Sequence, residues 1–510
     1  MGGGTLVEDI RAHARRAPQR TALVWHGDEV TYGALWRHAE RERARVADTP
    51  GRGPVGVPAV KSPGTVALLL ACMLERRPVL LPSATLGKDV LEQLYEQAGA
   101  VPLSDRPDDA GPDDAGPDDD GPDDAGQGDD TPYGDLRAAH DTPADPEAPV
   151  LLLTTSGSTG LPKIVPIAGG AVDRFTAWAA DAFGIGEGTN VLNYAPLNFD
   201  LCLLDVWTTL AHGGRVVLVD PDQAMSGRHL LETIERHDVH VVQAVPMFHR
   251  LVSDAARDHG TVLPSVRHAM TTGDALPGPV LAELPRLYPN ARLHNIYGCT
   301  ETNDSFVHEV TGEQAAAGAT LPLGRPLPGA GALVVTDDGT VLEGPGSGEL
   351  WVTTPFQTSG YLGAAAARPV FVPHPAGADG RRWYRTGDLV HRAADGALTL
   401  AGRTDFQVKV RGVRINVQEV EHVLLAHPEV TEAAVLALPD EVAGRLLHAV
   451  ARRTPGSGLN SLALRGHLAR GLPKAAIPSV LRFTDEPLPR TSTGKVDRDR
   501  VVKDHFTKEN

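Results

Sequence analysis

TTSGSTGLPK, residues 154–163, places five hydroxyls, two glycines, a proline and a lysine in ten positions. The apolar run Pro149-Val150-Leu151-Leu152-Leu153 leads into it. An apolar run that ends in glycine and hydroxyl residues reads as a strand feeding a loop. Such a loop sets backbone N–H and side-chain O–H donors around a volume free of bulky side chains, which suits an oxyanion and phosphate above all. Gly157 and Gly160 permit backbone angles that other residues resist. Thr155, Ser156, Ser158 and Thr159 can donate, and Lys163 adds a reaching charge. The Walker pattern GxxxxGK[ST] is not matched. Taken alone, the stretch leaves a solvent loop of small residues as open as a phosphate cradle.

Around this loop the chain alternates strand-like and helix-like segments. Arg215–Val219, Val239–Val242 and Arg292–Ile296 are apolar, strand-like runs, and 171–184 and 228–237 have helical spacing. That alternation predicts an α/β fold with layered sheets and helices. After about residue 405 the texture changes to a small α+β unit. Phe406–Val410 alternates with period two, Val417–Leu425 and 461–470 have helical spacing, and Thr431–Leu438 and 479–484 read as strands. The expected division is 1–404 and 405–510, joined through GRTD at 402–405.

Composition narrows the partners. The net charge is −17, but residues 105–130 hold twelve Asp and one Arg, −11, so the rest of the 510 residues carry −6. This GPDDA-like repeat has no apolar residue larger than alanine and is expected to be a disordered acidic insert, because it cannot bury enough surface to offset ordering. No basic stripe points to nucleic acid. No apolar stretch approaches the length of a membrane span, and the start lacks the apolar core of a signal peptide. Three dispersed cysteines, Cys72, Cys202 and Cys299, fit a reducing cytoplasm better than a disulfide framework.

TTSGSTGLPK resembles the phosphate-loop motif of the adenylate-forming enzymes: acyl-CoA synthetases, firefly-type luciferases and adenylation domains of nonribosomal peptide synthetases. Further motifs similar to that family's follow in order. They are VTYGAL at 30–35, NFDLCLLDVW at 198–207, TTGDALP at 271–277, NIYGCTET at 295–302, GELWV at 348–352, YRTGDLV at 384–390, GRTDFQVKVRGVRIN at 402–416 and LPRTSTGKVDR at 488–498. The resemblance covers nearly the whole chain apart from the acidic insert. It implies a large N-terminal core of sheets and packed helices with a mobile C-terminal domain. It also implies activation of a carboxylate by attack on the α-phosphate of ATP, with Mg²⁺.

Both reacting groups are anionic, so such a site must neutralise charge and hold an in-line geometry. By resemblance, Thr155, Ser156, Gly157, Ser158, Thr159, Gly160 and Lys163 cradle the β- and γ-phosphates. Glu301 holds Mg²⁺ and Thr300 touches the α-phosphate. Gly273, Asn295 and Tyr297 serve the adenine, and Asp388 and Arg403 the ribose. Lys495 is the mobile catalytic lysine bridging substrate carboxylate and α-phosphate, and Asp405 is the hinge. After rotation about that hinge, Lys409-Val410-Arg411-Gly412 reaches the site and a pantetheine thiol attacks the acyl-adenylate.

Asp200 matches the aspartate that pairs with the α-amino group in amino-acid-activating relatives. A pocket carboxylate makes sense where a cation needs a partner, since an unpaired buried charge is costly. The alternative is that Asp200 caps a helix starting at Leu201. The other pocket-matching positions are Leu201, Leu204, Gln243, Met270, Thr272, Ile296, Asp304 and Ser305. Leu, Met and Ile fill space and suggest a small side chain, whereas Asp304 could favour a polar or cationic group or contact a β-amino group, and the stereochemistry stays open. FDLCLLDVW is also similar to the corresponding stretch of D-alanine–carrier protein ligases.

Cys299, Asp274, Cys202 and Asn416 depart from the family pattern, and Asn416 removes a charge near the expected thiolation surface. Twelve residues follow Arg498, with no carrier segment among them. The expectation is a stand-alone enzyme that charges a separate carrier protein with an amino acid in natural-product assembly. An acyl-CoA synthetase using free CoA and a silent nucleotide-binding paralogue are the alternatives. Asp200 argues against the first; Lys495, Glu301 and Asp388 argue against the second.

Overall fold

The computed structural model describes residues 5–103, 145–155, 161–367, 369–377, 379–403, 407–411, 413–440, 443–454, 456–490 and 496–507. The acidic insert, Ser156–Gly160, Asp405, Gly412 and Lys495 lie outside the described residues.

Two sheets enclose a shared layer of helices. The larger has nine strands, running in space from Arg325–Pro326 through Asn303–Glu309, Arg292–Cys299, His268–Thr271, Val241–Ala244, Asn190–Asn193, Arg215–Leu218 and Thr21–Trp25 to Asp28–Thr31. Its central strands, from Thr21–Trp25 to Arg292–Cys299, are parallel. They are covered on both faces, which is why they read as apolar runs rather than alternating ones. The second sheet has five strands, with Pro149–Thr155 between Val79–Leu81 and Lys163–Ala168.

The helix Pro63–Leu74 shows why the layer between the sheets is dry. Every residue from Thr65 to Met73 is buried, as expected of a helix that is apolar all round. It shares one core with Gly169–Phe183, with Leu204 and Trp207 of the segment Leu203–Thr208, and with Met270 and Ile296 of the large sheet. On the opposite face Gly227–Arg236, Pro246–His259 and Gly278–Leu287 build a second core. Tyr32 of the VTYGAL motif is a structural tie in the first layer: its hydroxyl donates to the carbonyls of Leu210 and Gly214 at 3.0 and 2.8 Å.

A third, antiparallel sheet carries the GELWV and YRTGDLV motifs on Gly346–Thr353 and Arg382–Arg392, with Leu398–Arg403 along one side. Beyond it come a hairpin of Gln407–Val410 with Val413–Asn416, the helix Val417–Leu425 and a three-stranded sheet of Val430–Asp440, Gly444–Arg453 and Val480–Thr484. These have their own core, which includes Val420, Leu424, Val435, Leu447 and Leu464. The helix over 417–425 falls where its spacing places it. The strand expected at Val239–Val242 instead runs Val241–Ala244.

Asn416 has a local role. Its side chain accepts from the Gln418 N–H at 2.9 Å and caps the helix Val417–Leu425. A short amide oxygen satisfies an otherwise orphaned N–H there, so the residue is buried as a cap.

Candidate active site

The carboxyl ends of the parallel strands converge on one region. In open α/β sheets this is where ligands bind, because the loops leave the sheet there and helix starts face inward. Val241–Ala244 contributes Gln243, His268–Thr271 contributes Met270 and runs on into Thr272 and Gly273, and Arg292–Cys299 contributes Asn295, Ile296 and Tyr297. Gly273 adopts φ +87°, a conformation that favours glycine.

One group of side chains is closed by its own hydrogen bonds. Asp388 receives the Tyr297 hydroxyl on one oxygen and the Arg403 guanidinium on the other. Arg403 also donates to the Thr386 carbonyl at 2.9 Å, and the Thr386 hydroxyl accepts from the Asp388 N–H at 3.0 Å. The sequence reading has Asp388 facing a ribose; here its oxygens meet Tyr297 and Arg403. Asn295 donates its amide to the Pro322 carbonyl at 2.9 Å. Burial, then the Asp388 charge, raises the Tyr297 pKa well above the usual phenol range.

Glu301, 1% exposed, accepts from the Tyr361 hydroxyl at 2.6 Å. The Lys163 ammonium stands 4.9 Å from the centre of the Tyr361 ring. Lys163 and Thr155 are cross-strand partners at the two ends of the hydroxyl-rich loop, and the buried Thr155 hydroxyl has no hydrogen-bond partner among the described residues. Tyr361 escaped the sequence reading. It stands alone in TSGYLG, and only the fold puts it between Lys163 and Glu301. Thr300 is half-buried beside Glu301.

The second group sits on one face of the large sheet. Gln243 is in register with Met270, and Met270 with His294. Ile296 and Gly298 follow on the same face by strand alternation, and Gly298 pairs with Asp304. A bulge between Tyr297 and Gly298 sets that register. Asn303 takes φ +57° and its side-chain oxygen accepts from the Asp304 N–H at 2.7 Å. A Cβ at Gly298 would lie 2.4 Å from the Asn303 carbonyl oxygen, so glycine is what admits this turn. Thr272 and Ser305 are buried, and the Ser305 hydroxyl lies 3.0 Å from that of Thr302.

Leu203–Thr208, a π-helical segment, packs against this face through Leu204. π-turns are rare and concentrate at functional sites. Leu201 is half-buried against the same core. Asp200 lies just before the segment, where its own N–H and that of Leu201 stabilise its carboxylate. Desolvation outweighs them, and with the Glu301 charge it moves the Asp200 pKa up to about 6, while Lys409 pulls the other way. Backbone N–H groups hold Asp200 and the like charge of Glu301 acts on it, while the helical segment begins at Leu203 with Cys202 as its N-cap rather than at Leu201. Asp304, 7% exposed, is pushed up to about 8 by burial and by Asp200.

Two further groups went unread in the sequence. Lys61 is buried and donates to the carbonyls of Asn193 and Tyr194 at 3.1 Å each, and desolvation lowers its pKa to about 8. Asp205 is buried in the π-helical segment and accepts from Asn193 at 3.3 Å. Lys409 was read for a second step. It lies over the Tyr297 ring, 6.0 Å from its centre, so the C-terminal hairpin reaches the site in this structure.

An α/β chain that sets Asn295, Tyr297 and Glu301 at the end of a parallel strand, with Asp388 of the third sheet bonded to Tyr297, has the form of a nucleotide-dependent enzyme of acid activation. The AMP-binding enzyme family model matches residues 10–362 and that family's C-terminal domain model matches 419–495; the chain belongs to the AMP-binding enzyme family. It is 28% identical to the D-alanine–D-alanyl carrier protein ligase of Bacillus licheniformis, over 98% of this chain and 99% of that one. It is 36% identical to the L-proline–[L-prolyl-carrier protein] ligase of Streptomyces coelicolor, over 71% of this chain and 67% of that one. Among solved structures, a nonribosomal peptide synthetase protein containing adenylation and PCP domains superposes with a TM-score of 0.80 at 24% identity, covering 99% of this chain and 85% of that one. This last likeness is one of fold. No helix among the described residues is long and apolar enough to cross a membrane.

Proposed function

We propose that the enzyme activates an amino acid with ATP and passes it to the phosphopantetheine thiol of a separate carrier protein. In the first step a carboxylate oxygen of the amino acid bonds to the α-phosphorus, and the bond to pyrophosphate breaks. In the second, the thiol sulfur bonds to the acyl carbon, AMP leaves, and the thiol proton passes to solvent. The observation that carries the reading is Asp200, a desolvated carboxylate just before the π-helical segment, where it can pair with an α-ammonium group. Family membership and the carrier protein ligases among its relatives support the same reading.

The roles divide by position. Thr155 and Lys163 bind the outer phosphates, together with the Ser156, Gly157, Ser158, Thr159 and Gly160 donors that the motif supplies. Tyr297, Asn295 and Gly273 receive the adenine, and Asp388 with Arg403 the ribose. Glu301 is a buried hard oxygen donor fixed by Tyr361, with no group of three or more His, Cys, Asp or Glu around it among the described residues. That fits Mg²⁺, which takes one or two carboxylates and completes its shell with phosphate and water. Bound there, the ion neutralises phosphate charge. Lys495 supplies a cation to the first step, and residues 405–510 turn about Asp405 for the second, when Lys409 and Arg411 face the site.

The test is ATP–pyrophosphate exchange with a panel of acids, followed by mass analysis of a carrier protein and, separately, of free CoA. Amino acids should drive exchange and their des-amino analogues should not. Asp200→Ala should lose amino-acid turnover by roughly 10²-fold, on the scale of a desolvated charge pair, while ATP still binds. Faster exchange with benzoates or fatty acids, or loading of CoA in place of a carrier, refutes the proposal.

A further inference from the structure

The wall of the amino-acid pocket carries more acceptor capacity than one ammonium group uses. Asp304 shares a face of the large sheet with Ile296, Met270 and Gln243, and the π-helical segment bearing Leu204 packs against that face. The Asp304 Oδ2 and the Gln243 Oε1 are both buried and have no hydrogen-bond partner among the described residues. Gln243 is 1% exposed and Asp304 7%. Neither Asp304 nor Asp200 forms an ion pair among the described residues, and the charge that acts on Asp304 is the like charge of Asp200. The Gln243 oxygen is an acceptor, and the Asp304 oxygen is one whenever the carboxyl is ionised, the form a cationic ligand favours. A buried acceptor without a donor costs free energy, more so when it is a carboxylate. A ligand carrying a second ammonium group supplies what is missing: N–H donors and a positive charge.

We propose that the acid activated is a short diamino acid, its α-ammonium on Asp200 and its side-chain ammonium on Asp304, with Gln243 accepting beside it. The inference rests on the functional reading above and goes beyond it by fixing the substrate class. Leu204, Met270 and Ile296 are buried in one apolar core beside these acceptors, and that bulk favours a short chain between the two ammonium groups over a long one. A neutral side chain would leave Asp304 unpaired in a desolvated site, and an acidic one would meet like charge. Sites with an unpaired buried polar group reject ligands that leave it unpaired far more strongly than apolar pockets reject a missing methylene.

The experiment is ATP–pyrophosphate exchange by the full chain with both enantiomers of diaminopropionate, diaminobutyrate, ornithine and lysine. Alanine, proline, serine, aminobutyrate and asparagine serve as neutral comparisons. A diamino acid should give the highest kcat/KM. Asp304→Asn should lower kcat/KM for that substrate by roughly 10²-fold and shift the ratio towards neutral amino acids by a similar factor. A neutral amino acid preferred by the wild-type enzyme overturns the inference and leaves the functional reading intact. So does an Asp304→Asn variant of undiminished thermal stability that loses diamino and neutral substrates equally. Exchange with none of the amino acids, ATP still binding, overturns the functional reading and the inference with it.

Discussion

The two halves of the site differ in how their polar atoms are held. Around Tyr297 and Asp388 the protein completes its own network: Tyr297 and Arg403 take the Asp388 oxygens, and Thr386 holds Arg403 and Asp388 together. Around Asp200 and Asp304 it does not. There a carboxylate oxygen and an amide oxygen are buried with no hydrogen-bond partner among the described residues, and the charges of two carboxylates act on one another. A half that is satisfied before its ligand arrives is rigid and general, which suits a nucleotide. A half left short of donors is discriminating, because the missing groups must come from the substrate.

The comparison can be broken first at its closed side. Asp388→Ala leaves the Arg403 guanidinium without its carboxylate in a largely buried setting, and removing one partner of such a pair should cost about 3 kcal/mol of stability. Denaturant unfolding measures it, and ATP binding should weaken in the same variant. An unchanged midpoint would mean that the network is not the rigid half. Lys495→Ala tests the proposed division between the two half-reactions. Amino-acid adenylation should slow by roughly 10²-fold, the scale of one preorganised charge at a transition state. Thioester formation from supplied aminoacyl-adenylate should change much less. Equal loss in both half-reactions would remove the division of labour between Lys495 and the Lys409 hairpin.

The open side should show itself in pH dependence. Burial and Asp200 raise Asp304 from 3.8 to about 8. Between those values the folded enzyme binds a proton that the unfolded chain does not, so this group makes stability fall as pH rises through that window. Asp304→Asn removes the penalty. Its melting temperature should exceed the wild type's by a few degrees above pH 8 and match it near pH 4. A constant difference across the range would place the effect elsewhere than the ionisation.

Much of this was legible in the sequence because it is local. The helix Val417–Leu425 follows from spacing alone. The strand into TTSGSTGLPK follows from an apolar run ending in hydroxyls. Ordered motifs led to Glu301, Asn295, Tyr297, Asp388, Arg403 and Asp200; Asn295 and Tyr297 lie near the end of one parallel strand with Glu301 just beyond it, and Asp388 and Arg403 come from the third sheet and bond to each other. Spacing was weaker where burial is two-sided: Val239–Val242 reads as a strand, yet the paired register runs Val241–Ala244, because nothing in an apolar run marks where the register starts and stops. Tyr361, Lys61 and Asp205 carried no local signal, since each acts through partners well away in the chain.

By itself, then, the sequence determined the order of the elements and the chemistry of adenylate formation, since both are written in short motifs whose residue types have few other uses. It named Asp304 but could not say what Asp304 does. That depended on the bulge between Tyr297 and Gly298 and the positive φ of Asn303, which set Asp304 opposite Gly298. A shift of one residue in that register would turn Asp304 to the other face of the sheet. Tertiary packing therefore decided that a second carboxylate stands with Met270, Ile296 and Gln243, shut away from water and in no ion pair among the described residues.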